Sequence, residues 1–171
     1  MILRVSATTY ATGIYLRNNC YELPHFRMGF TPSAGKELQS EYLFPRQHTV
    51  EAILAIQRLR DLVSPYLLIS EIRTIAADEL WMSPCCQQPS VAIHFTWKQD
   101  WPNVSKLLPV IEKELAPFHP RPHWGKLFTF PPKQLHSSYG SLSAFVELSR
   151  KYDPQGKFQN EFLRTYIFSA G

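Results

Sequence analysis

Glu71 and Arg73 stand two apart in a stretch, 66–74, where polar and apolar residues alternate. His94 and Thr96 stand two apart in a second such stretch, 90–98. In a strand, residues two apart point the same way and lie about 6.5 Å from each other. Glu71 and Arg73 therefore share a face with Leu67 and Ile69, and His94 and Thr96 share one with Ala92. If both faces lie on one side of a sheet, a carboxylate, a guanidinium, an imidazole and a hydroxyl converge. Such a set suits a polyol: the carboxylate accepts, the guanidinium donates and the hydroxyl does both. A second reading stays open, because the long link between the strands hides their register. Glu71 and Arg73 then form an ordinary exposed pair on the wet side of a half-buried sheet. His94 becomes a structural histidine and Thr96 simply a good strand former.

A further basic group, Lys126, closes the run Arg121-Pro122-His123-Trp124-Gly125-Lys126. By itself it reads as a surface lysine, and His123-Trp124 as a core aromatic with a polar neighbour. The sequence shows no nucleophile paired with a base, no glycine-rich phosphate loop and no metal-ligand spacing, so no metal site is expected.

These residues need elements to hold them. A short strand is expected over 40–44, stopped by Pro45. Thr49 can cap a helix over 50–62 whose apolar face is Val50, Ile53, Leu54, Ile56, Leu59 and Leu62. The strand over 90–98 carries Val91, Ile93, Phe95 and Trp97 on its apolar side. Asp100 can cap a helix to 115 with the stripe Val104, Leu107, Leu108, Ile111 and Leu115; Pro109 inside it should kink or split it. Residues 121–130 read as extended. Strand, helix, strand, strand, helix, strand is the split βαβ, ferredoxin-like order. It implies an α+β fold with an antiparallel sheet and helices on one face. A C-terminal helix is expected over 142–152, capped by Ser141 and stopped at Asp153-Pro154. The expected organisation is a weakly patterned lead-in (residues 1–22), with 23–36 mostly loop, a substrate-binding domain (23–130) and a C-terminal helical extension (131–171).

The chain of 171 residues is 44% hydrophobic, 19% charged and 13% aromatic, with a net charge of +4. That fits one globular domain. Its 18 Lys and Arg are scattered, with no run longer than Arg150-Lys151, so nucleic acid is not the expected partner. Low charge and many rings, with an apolar segment over 162–168, suggest surfaces that want cover and hence a homo-oligomer. Three cysteines, Cys20, Cys85 and Cys86, form neither a disulfide framework nor a zinc site. A cytoplasmic setting is the simplest one. No apolar run approaches the ~18 residues of a membrane span.

Several short segments, in one order, carry a resemblance. They are Pro24-His25-Phe26-Arg27-Met28-Gly29-Phe30-Thr31-Pro32-Ser33, Gln39-Ser40-Glu41-Tyr42, Ser70-Glu71-Ile72-Arg73-Thr74 and Leu80-Trp81-Met82-Ser83-Pro84. His94-Phe95-Thr96-Trp97, His123-Trp124-Gly125-Lys126 and Asp153-Pro154-Gln155-Gly156-Lys157-Phe158 complete the set. Together they resemble the C-terminal half of bacterial alditol oxidases, FAD enzymes of the vanillyl-alcohol-oxidase type, and more distantly gulonolactone and D-arabinono-1,4-lactone oxidases. The resemblance implies oxidation of a primary alcohol of an alditol, or of a sugar lactone, with oxygen as acceptor and hydrogen peroxide as product. It implies Glu71 and Thr96 on substrate hydroxyls, Arg73 and Lys126 near the reacting hydroxyl, and His94 in polar contact or proton handling. His123 and Trp124 are candidates to meet the FAD. The flavin-binding half precedes this region in the family. The chain is therefore expected to be inactive by itself, unless a separate FAD-binding chain or domain completes it. The non-catalytic alternative is a stand-alone ferredoxin-like module that binds a small ligand or a protein.

Overall fold

Val91, Ile93, Phe95 and Trp97 are all buried, and the residues between them point the other way. That alternation sets the sheet on which everything else is built. The computed structural model describes residues 3–4 and 37–169. Its strands are β1 (Leu3–Arg4), β2 (Leu38–Pro45), β3 (Leu67–Ile75), β4 (Ser90–Trp97) and β5 (Arg121–Pro122). They form one sheet in the order β1-β3-β4-β2-β5. Every pairing among β2 to β5 is antiparallel, and β1 alone runs parallel, beside β3. Strand β4 lies between β2 and β3, so it splits the βαβ unit that those two make with α1 (Thr49–Arg58). The expected α+β fold with an antiparallel sheet is what the chain adopts. The lead-in and the 23–36 loop fall, apart from β1, outside the described residues.

Helix α1 and helix α3 (Trp101–Leu115) pack together on one face of the sheet. Their Ala52, Ile56, Val104, Leu107, Leu108, Ile111 and Leu115 share a core with Tyr42, Phe44, Val91, Ile93, Phe95 and Trp97. Burying each large apolar side chain here stabilises the fold by roughly 2 kcal/mol. Asp100 caps α3 as expected, accepting from Asn103 N at 3.3 Å. Pro109 does not split the helix. It sits on the exposed face, where water can serve the carbonyl its missing N–H leaves free.

Three expectations need correcting. First, α1 does not bury Val50, Leu54 and Leu62, which are exposed. The buried positions are Ala52, Ala55 and Ile56, because alanine lets the helix sit close to the sheet. The helix also breaks at Leu59 before a short α2 (Arg60–Val63), which turns Val63 inward. Second, Leu67 is not on the face of Glu71 and Arg73. A bulge places Leu67 opposite Trp97 and Ile69 opposite Thr96, so one extra residue reverses the alternation at that end. Third, only Arg121–Pro122 of the 121–130 stretch is strand.

The C-terminal part contains α4 (Pro132–Ser138), which sequence periodicity did not reveal, α5 (Leu142–Tyr152) as expected, and α6 (Glu161–Leu163). Between α5 and α6, Asp153 closes a turn by accepting from the N–H groups of Lys157 (2.7 Å) and Phe158 (2.9 Å). Gly156 supplies the positive φ of 64° that this turn requires. The apolar segment after α6 finds cover within the chain: Phe162 and Tyr166 pack on Phe128, and Ile167 is buried with Tyr139 and Leu142.

Candidate functional site

The register of the three central strands builds the site. Glu41 of β2 and Glu71 of β3 both stand directly opposite His94 of β4. One row across the sheet therefore reads Glu41, His94, Glu71. The next rows hold Gln39, Thr96 and Ile69 on one side, and Leu43, Ala92 and Arg73 on the other. All of these point away from α1 and α3. Glu71, Arg73, His94 and Thr96 thus share one face, as the period-two reading requires.

Lys126 reaches this face from the loop after β5. Two backbone bonds sew that loop to the edge of β2, one on each side of Lys126: His123 N to Glu41 O (2.9 Å) and Leu127 N to Gln39 O (2.8 Å). A turn from Lys126 N to His123 O (3.0 Å) aims the side chain inward. The far end of the face is closed by the 78–88 loop, whose Cys85 packs on Leu43, Ala92 and Ile75. Arg121 pins that loop by donating to the carbonyls of Pro84 (3.1 Å) and Cys86 (3.0 Å), and Trp124 Nε1 donates to Met82 O (2.9 Å).

Glu41 is the centre of the cluster, and sequence reasoning gave it no role. It is 5% exposed. Lys126 donates to its Oε2, Arg73 donates to both oxygens (3.3 and 3.4 Å), and His94 Nδ1 lies 3.2 Å from Oε2. Burial alone would push its carboxyl up. The His94 contact, the Lys126 contact and charge, and the Arg73 charge outweigh that and hold it at about 2. The available signal was a carboxylate in the middle of a strand, beside Tyr42, Leu43 and Phe44. A charge in such a place has to be paired.

His94 Nε2 lies 3.0 Å from Thr96 Oγ1, and its Nδ1 lies 3.1 Å from Lys126 Nζ as well as beside Glu41. The two ring nitrogens are coupled. If Nδ1 carries the proton it donates to Glu41 and Nε2 accepts from Thr96. If Nε2 carries it, it donates to Thr96 and Nδ1 accepts from Lys126. Arg73 also donates to Glu71, and both side chains stay about a third exposed (34% and 31%). The open edge of the cluster is thus Glu71, Arg73 and Thr96, backed by the buried Glu41, His94 and Lys126. Together they offer donors and acceptors for several hydroxyls at once.

His123 and Trp124 separate. His123 is exposed at the rim, its Nδ1 accepting from Gly125 N at 3.1 Å. Partial burial and then the Lys126 charge hold its imidazole below the ordinary range. Trp124 is committed to packing against Tyr139, Phe128 and Phe162. Among the described residues no group of His, Cys, Asp and Glu could hold a metal ion, and no helix is long and apolar enough to cross a membrane.

Residues 30–166 match a family model described as D-arabinono-1,4-lactone oxidase. The chain is similar to an alditol oxidase of Streptomyces sp. (strain IKD472 / FERM P-14339), with 50% identity over 145 residues, 85% of this chain and 35% of that protein. It is also similar to L-gulonolactone oxidase of Mus musculus, with 26% identity over 141 residues, 78% of this chain and 31% of that protein. L-gulono-1,4-lactone dehydrogenase of Mycobacterium tuberculosis (strain ATCC 25618 / H37Rv) is 26% identical over 135 residues, 75% of this chain and 30% of that protein. The chain spans about a third of the length of these relatives.

Proposed function

The chain belongs to the D-arabinono-1,4-lactone oxidase family, and we propose that it forms the substrate-binding part of an FAD-dependent oxidoreductase. The reaction is oxidation of a primary alcohol of an alditol, with oxygen as final acceptor and hydrogen peroxide as product. The observation that carries this reading is the single row Glu41, His94, Glu71, with Arg73 and Lys126 converging on it at an open face. The name of the Streptomyces relative, an alditol oxidase, supports the substrate class.

Glu71 and Thr96 bind hydroxyls of the chain of the polyol. Arg73 and Lys126 lie beside the reacting hydroxyl, where their N–H groups hydrogen-bond the oxygen as its proton leaves. His94, whose Nε2 can accept from the Thr96 hydroxyl, takes up the hydroxyl proton by way of Thr96. A bound FAD supplies the acceptor for the hydride. The cluster fits the substrate side of that chemistry: it is dry at its base and open at one edge. His123, exposed beside Lys126, is the side chain we place against the flavin, while Trp124 is taken up by packing. The extension over residues 131–171 continues the surface toward the flavin-binding part, with Tyr152 and Phe158 exposed on it. By itself the 171-residue chain is expected to release no peroxide from xylitol or sorbitol.

The test is a titration of the isotope-labelled chain with xylitol, followed by backbone and side-chain resonances. Shifts should concentrate at Glu71, Arg73, His94, Thr96 and Lys126. A saturating response on the α1 and α3 side, with none on this face, would overturn the reading.

A further inference from the structure

We infer that Glu41 sets the charge of the ligand this face accepts, making it a reader of neutral hydroxyls rather than of carboxylates or phosphates. The inference rests on the polyol reading for the identity of the ligand, but the charge argument stands on geometry. Two guanidinium or ammonium groups at one open face would ordinarily make an anion site, since Arg and Lys are the usual partners of carboxylate and phosphate. Here they do not, because two carboxylates already occupy them. Glu71 takes one side of Arg73, while Glu41 takes the other side of Arg73 and pairs with Lys126. His94 from β4, His123 from the rim and the buried Cys85 thiol are the other titratable groups about Glu41. At neutral pH the four charged side chains cancel.

The two carboxylates differ in kind. Glu71 is partly exposed and could swing out to let a ligand anion pair with Arg73. Glu41 is buried at the base of the cluster between β2 and β4, with three partners, and has nowhere to go. It is therefore the fixed counter-ion. A ligand carboxylate that reaches Lys126 finds an ammonium whose charge Glu41, behind it, already offsets, so it gains little net attraction there. A hydroxyl needs no such attraction.

The experiment compares xylitol with xylonate, a neutral polyol against the sugar acid of equal carbon count, by calorimetric or resonance titration of the full chain at low salt. Glu41→Gln keeps size and the acceptor oxygen but frees one positive charge. Its affinity for xylonate should rise at least about tenfold over the parent, the worth of a charge-assisted contact. The ratio of its xylonate affinity to its xylitol affinity should rise by the same factor, whatever happens to xylitol binding itself. The double variant Glu41→Gln with Lys126→Met restores neutrality and should lose the xylonate gain, which a mere loosening of the fold would not do. Equal xylonate affinity in parent and Glu41→Gln overturns the inference. If Glu41→Gln does not fold, as judged by the indole resonance of the buried Trp97, Glu41→Ala, which removes the same charge, serves in its place. It should gain several-fold toward xylonate, and no gain overturns the inference equally. A parent that binds neither ligand defeats the polyol reading alone, because the gain of the variant toward xylonate still decides the role of Glu41.

Discussion

Glu41 and Glu112 are both buried carboxylates, and neighbouring residues of β2 lead to them from opposite faces of the sheet. Glu41 itself points to the polar face and meets Lys126, Arg73 and His94. Tyr42 points to the helix face, where its hydroxyl donates to Glu112 of α3 at 3.0 Å. Glu112 meets neutral donors as well from Thr129, whose N–H lies at 2.7 Å and hydroxyl at 2.5 Å. The two carboxyls move in opposite directions. Burial pushes Glu112 up, and its hydrogen bonds only partly offset that. The His94 hydrogen bond, with the contact and charge of Lys126 and the charge of Arg73, holds Glu41 at about 2 despite its burial. The difference separates two uses of a buried acid. Surrounded by neutral donors, it fastens α3, β2 and the 123–130 loop into place. Surrounded by basic groups, it keeps a full charge in a dry place and sets the field at an open face.

The largest expected effects test whether function lies on the Glu41 face alone. If the proposed function holds, then in the protein completed by its FAD-binding chain or domain Arg73→Met or Lys126→Met should lower kcat by about 10²–10³-fold, the usual cost of removing one donor to a developing oxyanion. Glu112→Gln, which keeps the contacts to Tyr42 and Thr129, should leave kcat within about threefold. Steady-state rates on xylitol decide this. A loss from Glu112→Gln as large as that from Arg73→Met would erase the distinction between the faces.

The next test is stability against pH. Glu41 has a folded value of about 2 against an ordinary 4.5. Its contribution is therefore fully present above pH 4.5 and lost as pH falls toward 2, about 3 kcal/mol in all. Glu112 has a raised folded value, so the sign reverses. Its contribution is present below 4.5 and lost as pH rises through that raised value. Urea unfolding from pH 3 to 7 should show a steep acid limb in the parent, flattened in Glu41→Gln. Glu112→Gln should keep the acid limb, and any deficit relative to the parent should shrink toward neutrality. The same acid limb in both variants would contradict the assignment.

The two faces also differed in how far the sequence disclosed them. The helix face was readable because α3 and β4 carry large apolar residues at strict periods, so Val104, Leu107, Leu108, Ile111 and Leu115 meet Val91, Ile93, Phe95 and Trp97 as expected. The shared face of Glu71, Arg73, His94 and Thr96 was readable within each strand by the same rule. Across strands it rested on the family resemblance, because periodicity carries no register. What stayed hidden has local causes. Alanines in α1 carry little hydrophobic signal, so its true face was displaced. A bulge at Leu68 leaves no mark in composition, so Leu67 was put on the wrong side. Glu41 lies in the segment Gln39-Ser40-Glu41-Tyr42 that carries the family resemblance, but its meaning depends on Lys126, which is 85 residues away in the chain. Partners that distant are brought together by the fold and cannot be found by spacing.

A smaller effect sharpens the account of Glu112 as a fastening. Glu112→Ala leaves the buried Tyr42 hydroxyl, and the Thr129 N–H, without their acceptor. That should cost about 2 kcal/mol, read as a lower urea midpoint at pH 7. Glu112→Gln, which retains both acceptor contacts, should recover most of that loss. If Ala and Gln behave alike, the hydrogen bonds do not hold the loop and its place is set by packing alone.

The smallest expected effect concerns a buried polar group that belongs to neither arrangement. Tyr139 is 3% exposed, its ring centroid lies 4.9 Å from that of Trp124 at a tilt of 36°, and Arg121 lies 5.3 Å over its ring. Among the described residues its hydroxyl finds no hydrogen-bond partner. Burial accordingly raises its phenol well above the ordinary range. Glu41 has charged partners and Glu112 has neutral ones, so removing either leaves something unsatisfied. Removing the Tyr139 hydroxyl leaves nothing behind, and the ring keeps its packing on Trp124. Tyr139→Phe should therefore be neutral or stabilising, by up to about 1 kcal/mol, because an unpaired hydroxyl no longer has to be desolvated. Denaturant unfolding of the single variant measures it. A loss above about 1 kcal/mol would mean that the hydroxyl has a partner of its own, and that this third site is a fastening like Glu112 rather than a packed ring.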